Sequence, residues 1–183
     1  PLDRYIVDES LTEHLTKQLE LESLSELDQQ IAEQLIDGLD TRGYILDYTR
    51  LKQSICTELN VAERKVGEIL KIVQTFEPEG VGARTLKECL LIQVHEYNFE
   101  SEELRDTLSV LIKNHLEDLA ASRYNKIKKA TGFEKEGVLQ LSEFIRDNLN
   151  PNPASDYSQD NFTHHVVPSF KVTVEEGVLK VEN

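Results

Sequence analysis

FEPEGVGARTLKECLLIQ, residues Phe76 to Gln93, is the stretch on which the reading of the whole chain turns. One helical pattern runs into Phe76 and another starts near Thr85. Between them Pro78 ends the first helix, because it has no N–H and restricts the residue before it. Gly80 and Gly82 permit backbone courses that side chains resist. The segment is expected to be a stiff, sharply turned connector. Arg84 sits beside the start of the next helix, where a cation opposes the dipole unless it has a partner, which makes it a candidate contact residue.

Upstream of the connector, Val66, Ile69, Leu70, Val73 and Phe76 recur at helical spacing after a turn at Asn60-Val61. A preceding helix is expected from about Thr49 to Leu59, with Leu51, Ile55 and Leu59 on one face. Before it, Ser25 opens a helix through Leu27, Ile31, Leu35, Ile36 and Leu39, closed by Asp40-Thr41-Arg42-Gly43. Ser10 with Glu13 forms a capping-box pattern at the start of the first helix, which ends near residue 22. Downstream, the run Leu86, Cys89, Leu90, Leu91, Ile92 and Val94 is apolar over more than one face, so the fifth helix is expected to be central and buried. Ser101-Glu102-Glu103 starts a long sixth helix, with acidic residues at the positive end of its dipole. A short seventh helix runs from about Arg123 to Thr131 and stops at Gly132. An eighth, from about Glu134 to Leu149, ends before Pro151 and Pro153. Asn152 to Asn161 reads as a linker or surface loop. After it, the alternation of Phe170 to Val174 and of Val178 to Val181 about Glu175-Glu176-Gly177 predicts one β-hairpin.

The fold class is therefore all-α: two packed helical subdomains with helix-turn-helix-like units, followed by a short C-terminal β-hairpin. The expected boundaries are 1–79, 80–153 and 154–183. Each half holds a short helix, a turn and a longer helix, a weak internal echo, since amphipathic helices resemble one another easily.

Lys+Arg of 20 against Asp+Glu of 34 gives a net charge of -14 over 183 residues. That field repels phosphate backbones and suits a basic protein partner, although acidity also serves simple solubility. Cys56 and Cys89 lack CxxC spacing and paired histidines, so neither zinc nor a disulfide is indicated. No run approaches the roughly 18 apolar residues that span a bilayer, and PLDRYIVDES lacks an apolar signal core. A cytoplasmic monomer without a membrane segment or cofactor is expected. The lack of an initiator Met, and an end just after a strand-like run, suggest a piece of a longer chain.

Few residues point to catalysis. GVGAR places glycines before a helix but lacks GxxxxGK[ST] spacing and a preceding strand, so a structural turn with a binding edge is the better reading than a nucleotide loop. His14, His95 and His115 lie on separate helices, and His164 and His165 are adjacent on a strand-like run. No serine or cysteine is tied to a base, and the chain is not read as an enzyme. Arg123, Tyr124, Lys126, Lys128 and Lys129 form a basic island with no acidic residue between Leu119 and Phe133. It is either a solvated helix face or a contact to phosphate or to an acidic patch of a partner.

The sequence from Gln74 to Gln93 closely resembles a signature of the sigma-54 family of bacterial RNA polymerase initiation factors. In the family's order follow Leu39-Asp40 with Gly43-Tyr44-Ile45, His115-Leu116-Glu117 with Leu119-Ala120 and Tyr124, Leu149-Asn150-Pro151 with Pro153, and Val166-Val167-Pro168. Departures are Glu77 where aspartate is usual, Ala154 where glycine is usual, and Ser169 where an acidic residue is common. The resemblance implies a core-binding region that attaches the factor to core RNA polymerase. Promoter DNA and an ATP-driven activator are implied only through regions absent here. Phe76, Pro78, Gly80, Val81, Gly82 and Arg84 are then candidates for polymerase binding or for orienting the subdomains, and the basic island for contact with polymerase or nucleic acid. The alternative is an independent helix-turn-helix regulator that binds DNA by itself.

Overall fold

The computed structural model describes residues 9–99 and 101–157 together with the backbone of 171–175 and 178–182. Among the described residues eight helices form an all-α body: α1 Leu11–Leu21, α2 Glu26–Asp37, α3 Tyr48–Leu59, α4 Glu63–Val73, α5 Leu86–Glu96, α6 Glu102–Ala120, α7 Tyr124–Thr131 and α8 Lys135–Asn148. None is long and apolar enough to cross a membrane.

Local chemistry sets most of the boundaries. At α1 the Ser10 hydroxyl accepts from Glu13 N–H while the Glu13 carboxylate accepts from Ser10 N–H, so two otherwise unpaired donors are satisfied reciprocally. Ser25 caps α2, Asp47 caps α3 and Thr85 caps α5 through their side-chain oxygens. Ser101 begins α6 without a side-chain cap, leaving Glu102 and Glu103 to complement the dipole. Within α6, His115 leaves helical geometry at φ -131° and ψ 15°, and the turn beyond it carries Asp118 to the start of α7.

Helices α1 to α4 close around one core, in which Leu15, Ile31, Leu35, Ile55, Val66 and Val73 are fully buried. Each such aliphatic side chain contributes about 1.5–3 kcal/mol by leaving water. Beyond the connector, α5 packs on α6 through Leu90, Val94, Leu108 and Ile112, and Leu111, Leu119, Ile127 and Val138 join α6, α7 and α8. A small cluster of Tyr44, Ala83 and Cys89 lies between these cores. As the mixed pattern of α5 predicts, it faces two ways: Cys89 turns to the connector and Leu90 to α6.

Three expectations need correction. Helix α4 stops at Val73 rather than running into Phe76. Thr75 and Phe76 donate to Ile72 and Val73 in tight turns, and the Gln74 amide reaches forward to Gly82 O at 3.0 Å. The chain therefore leaves the helix before Pro78 forces it to, and Phe76 enters the core from a turn. Residues 152–157, expected as linker or surface loop, are partly packed: Pro153 and Ala154 are buried, Ala154 N–H donates to Arg42 O, and Tyr157 lies against the His14 ring. Ser155–Tyr157 forms a single 3₁₀ turn. At the C-terminal end, segments Lys171–Glu175 and Val178–Glu182 are extended, but the turn between them and all of their side chains lie outside the described residues. The expected hairpin is not supported there as a packed part of the fold. His164 and His165 also lie outside the described residues.

Candidate functional site

The connector is clamped from both sides. Gln18 on α1 donates to Glu77 O at 2.6 Å and accepts from Glu77 N–H at 2.8 Å, while Phe76 and Val81 sink into the first core. The half-buried Pro78, preceded by a cis peptide bond, accepts through its carbonyl from Val81 N–H. Gly82 N–H then donates to Gly43 O, and Ile45 N–H to Ala83 O, both at 2.9 Å. This strand-like pairing ties the connector to the loop after α2.

Two glycines make that path possible. Gly80 has φ +93°, and a Cβ on it would lie 2.7 Å from Cys89 Sγ and 2.8 Å from Gln93 Nε2, both on the buried face of α5. Gly82 has φ +74°, and its Cβ would press on Gln74 Cγ at 3.3 Å. Either side chain would be strained by its backbone and crowded by packed neighbours.

Behind the connector lies a polar knot. Gln93 is 4% exposed. Its amide donates to Asn150 O at 2.7 Å and accepts from Asn150 N–H at 2.7 Å, reading the backbone as a paired strand would. Tyr44 Oη donates to Pro151 O at 2.8 Å. Burial, and after it the neighbouring Cys89, push the Tyr44 hydroxyl well above its ordinary pKa, and burial likewise raises the Cys89 thiol. Both therefore stay protonated, which suits the donor role of Tyr44. Residues 150–154 thus form a strap that joins α8 to the Arg42–Tyr44 loop and to α5. Sequence periodicity passes over this knot, although one signal was present: Gln93, four residues after Cys89, interrupts the apolar run of α5.

Arg84 finds the partner that its position demands. Its guanidinium donates to Glu88 at 2.7 and 2.9 Å, its N–H to Glu88 Oε2 at 2.7 Å, and it stacks 5.2 Å from the Tyr48 ring centroid. Burial pushes the Glu88 carboxyl up, but Arg84 and the Gln74 amide more than reverse this and hold it below the usual glutamate range. Tyr48, Arg84 and Glu88 line a cleft with Arg64, Gly67, Glu68, Lys71 and Gln74.

The basic island sits apart, on α7, and its neutralising partners flank it in the sequence. Asp118, 7% exposed, takes Lys126 at 3.0 Å and Arg123 at 3.4 Å, and Lys128 meets Glu134 at 2.8 Å. Tyr124 Oη lies 3.4 Å from Ser122 Oγ. Lys129 is exposed and has no ion pair among the described residues. The fold also adds two cations that the island's sequence window omitted. Lys87, at the start of α5, shares a cleft with Arg123 and Lys126, and Lys135 shares another with Arg123, Tyr124 and Lys126. No nucleophile–base pair is assembled by the residues described above.

The family described as "Sigma-54 factor, core binding domain" matches residues 3–183. The chain is 30% identical over 174 residues to the RNA polymerase sigma-54 factor of Shewanella violacea, covering 95% of this chain and 35% of that protein. It is 32% identical over 178 residues to that of Pseudomonas putida (95% and 35%) and 30% identical over 175 residues to that of Escherichia coli K12 (95% and 36%). The chain thus spans about a third of the length of these curated relatives.

Proposed function

The chain belongs to the sigma-54 factor core-binding domain family, and from that premise we propose that it attaches a longer transcription initiation factor to core RNA polymerase. The observation that carries this reading is the family match along residues 3–183, which includes every element of the clamped junction. We assign one helical subdomain to residues 1–79 and a second to 80–153. Residues 154–183 lead towards the DNA-binding part of the longer factor. Promoter DNA and an ATP-dependent activator are engaged through the remaining length of such a factor. The chain is a binding module in the bacterial cytoplasm, not a catalyst.

In this reading Phe76, Pro78, Gly80, Val81 and Gly82 act by fixing the angle between subdomains, since four of these five are buried and cannot meet a partner directly. Arg84 lies at the surface and is positioned for contact. An acidic module that meets basic groups of its partner gains association rate and orientation from charge, whereas a few buried anchors set affinity. The test is a titration of the labelled chain with core RNA polymerase, in parallel with a labelled promoter duplex at several salt concentrations. Saturable binding to polymerase without binding to the duplex is expected. Salt-sensitive binding to the duplex alone would replace this reading with that of an independent DNA-binding regulator.

A further inference from the structure

We propose that residues 151–157 are a latch that fixes the angle between helices α1–α4 and helices α5–α8 and that opens from its Tyr157 end. Tyr44 and Ala154 are its positioning residues. The latch belongs to the chain alone and does not depend on the partner that the chain meets.

The two sets of helices are joined at few places. The core of α1–α4 shares no residue with those of α5–α8, and extensive helix–helix packing stays within one set or the other. Two runs of backbone cross between them. The first is the connector, whose Phe76 and Val81 are part of the first core, so it cannot leave without emptying that core. The bond from Gln74 to Glu88 at 3.1 Å and the Arg84–Tyr48 stack brace that side of the junction. The second crossing is the strap after α8, and it is held differently. Ala154 is 1% exposed but belongs to neither set's core.

Along the strap the contacts stand in series. Pro151 O accepts from Tyr44 Oη at 2.8 Å, Pro153 Cγ lies 3.4 Å from where a Cβ on Gly43 would stand, and Ala154 N–H donates to Arg42 O at 3.2 Å. Tyr157 then rests on His14, with 5.1 Å between ring centroids. All four receiving residues belong to the first set, on α1 or on the loop after α2. The root of the strap belongs to the second set, where Leu149 joins the core and Gln93 holds Asn150. Helix α1 serves both crossings, since Gln18, one turn on from His14, grips Glu77. Pro151 and Asp156 are exposed, so water can replace the hydrogen bonds of the strap as it leaves. Closed, the strap leaves Asn152 Oδ1 buried without a hydrogen-bond partner among the described residues, a cost that opening removes. Opening thus gives up a few polar contacts and the cover over Pro153 and Ala154, while both sets of helices keep their cores. Tyr157 lies farthest from the root and meets the first set through a ring contact, so the latch gives way there first.

The test places fluorescent labels, introduced as unnatural amino acids, at the exposed Glu33 on α2 and Gln140 on α8, and records the distribution of distances between them alongside hydrogen exchange. The wild type should give one narrow distribution. Ala154→Glu forces a charge into a buried seat and is expected to widen the distribution and to speed exchange at the amide of residue 154 about tenfold or more. Tyr44→Phe keeps the ring, removes the bond to Pro151 and should widen the distribution less. Tyr157→Ala should speed exchange at the Ala154 amide while the Asn150 amide, held by Gln93, stays protected. Ile69 and Ile112, buried in the two sets, should keep their protection throughout. If Ala154→Glu exposes either core, Tyr44→Phe and Tyr157→Ala decide the matter. A distribution of unchanged width once the strap amide is released overturns the proposal, because the connector then holds the angle alone. Strap amides that stay protected in all three variants overturn it too. So does core exchange that rises with strap exchange in every variant, because the strap is then part of a core.

Discussion

Replacing Gln93 by leucine removes a paired amide without emptying the space it fills. Gln93 makes two hydrogen bonds of 2.7 Å to the backbone of Asn150, one donated and one accepted. Each contributes about 0.5–1.5 kcal/mol net, and a backbone group left unpaired beside the buried Gln93 position costs up to about 1–3 kcal/mol. Leucine has nearly the same volume, so a cavity adds little. The expected loss is about 2–4 kcal/mol, which for a chain of this size lowers the melting temperature by roughly 5–15 °C. Urea unfolding gives the free energy, and hydrogen exchange at the Asn150 amide reports whether the strap from 150 to 154 has come loose. An exchange rate at Asn150 that rises with the free-energy loss supports the assignment. A loss below about 0.5 kcal/mol with Asn150 still protected would refute it, because the two bonds could then not be what holds the strap.

Three further outcomes follow from the same geometry. Gly82→Val places a branched side chain at φ +74° against Gln74, Leu70 and Val73, and should weaken polymerase binding more than it unfolds either subdomain. Equal losses in a binding titration and a thermal melt would remove its angle-setting role. Glu88 has its native pKa held below the usual value, so its ion pair stabilises above the unfolded glutamate pKa of about 4.3 and is lost as pH falls through the lower native value. Glu88→Gln should therefore flatten the acid limb of a melting-temperature profile below about pH 4.3, and an unchanged limb would count against the Arg84 pairing. Joint replacement of Lys126, Lys128 and Lys129 by alanine breaks two ion pairs, each of the class worth about 0–1 kcal/mol, and should lower both polymerase affinity and its salt dependence. If neither changes, the island is a solvated face.

Helix positions were legible because they depend on neighbours in sequence: side chains at Ser10, Ser25 and Thr85 cap helices that begin one residue later. The apolar periods likewise named Ile31, Leu35, Ile55, Val66 and Val73 as core residues, and all are buried. The end of α4 was misplaced because Phe76 fits the helical period yet enters the core from a turn. Its burial is the same either way, so hydrophobic spacing could not tell the two apart. The basic island looked unopposed because its partners, Asp118 and Glu134, lie just outside the window that defines it.

By itself, then, the sequence determined the all-helical class, the helix starts at Ser10, Ser25 and Thr85, the turn that Gly80 and Gly82 allow, and the family to which the chain belongs. Each of these is a matter of local backbone sterics or of residue order. Only the tertiary structure decided that Asn150 would return 57 positions along the chain to pair with Gln93, that Tyr44 would reach Pro151, and that Arg84 would lie on Tyr48. Those contacts are chosen by packing, since a buried amide or hydroxyl must find a partner and the chain's local pattern does not say where that partner will be.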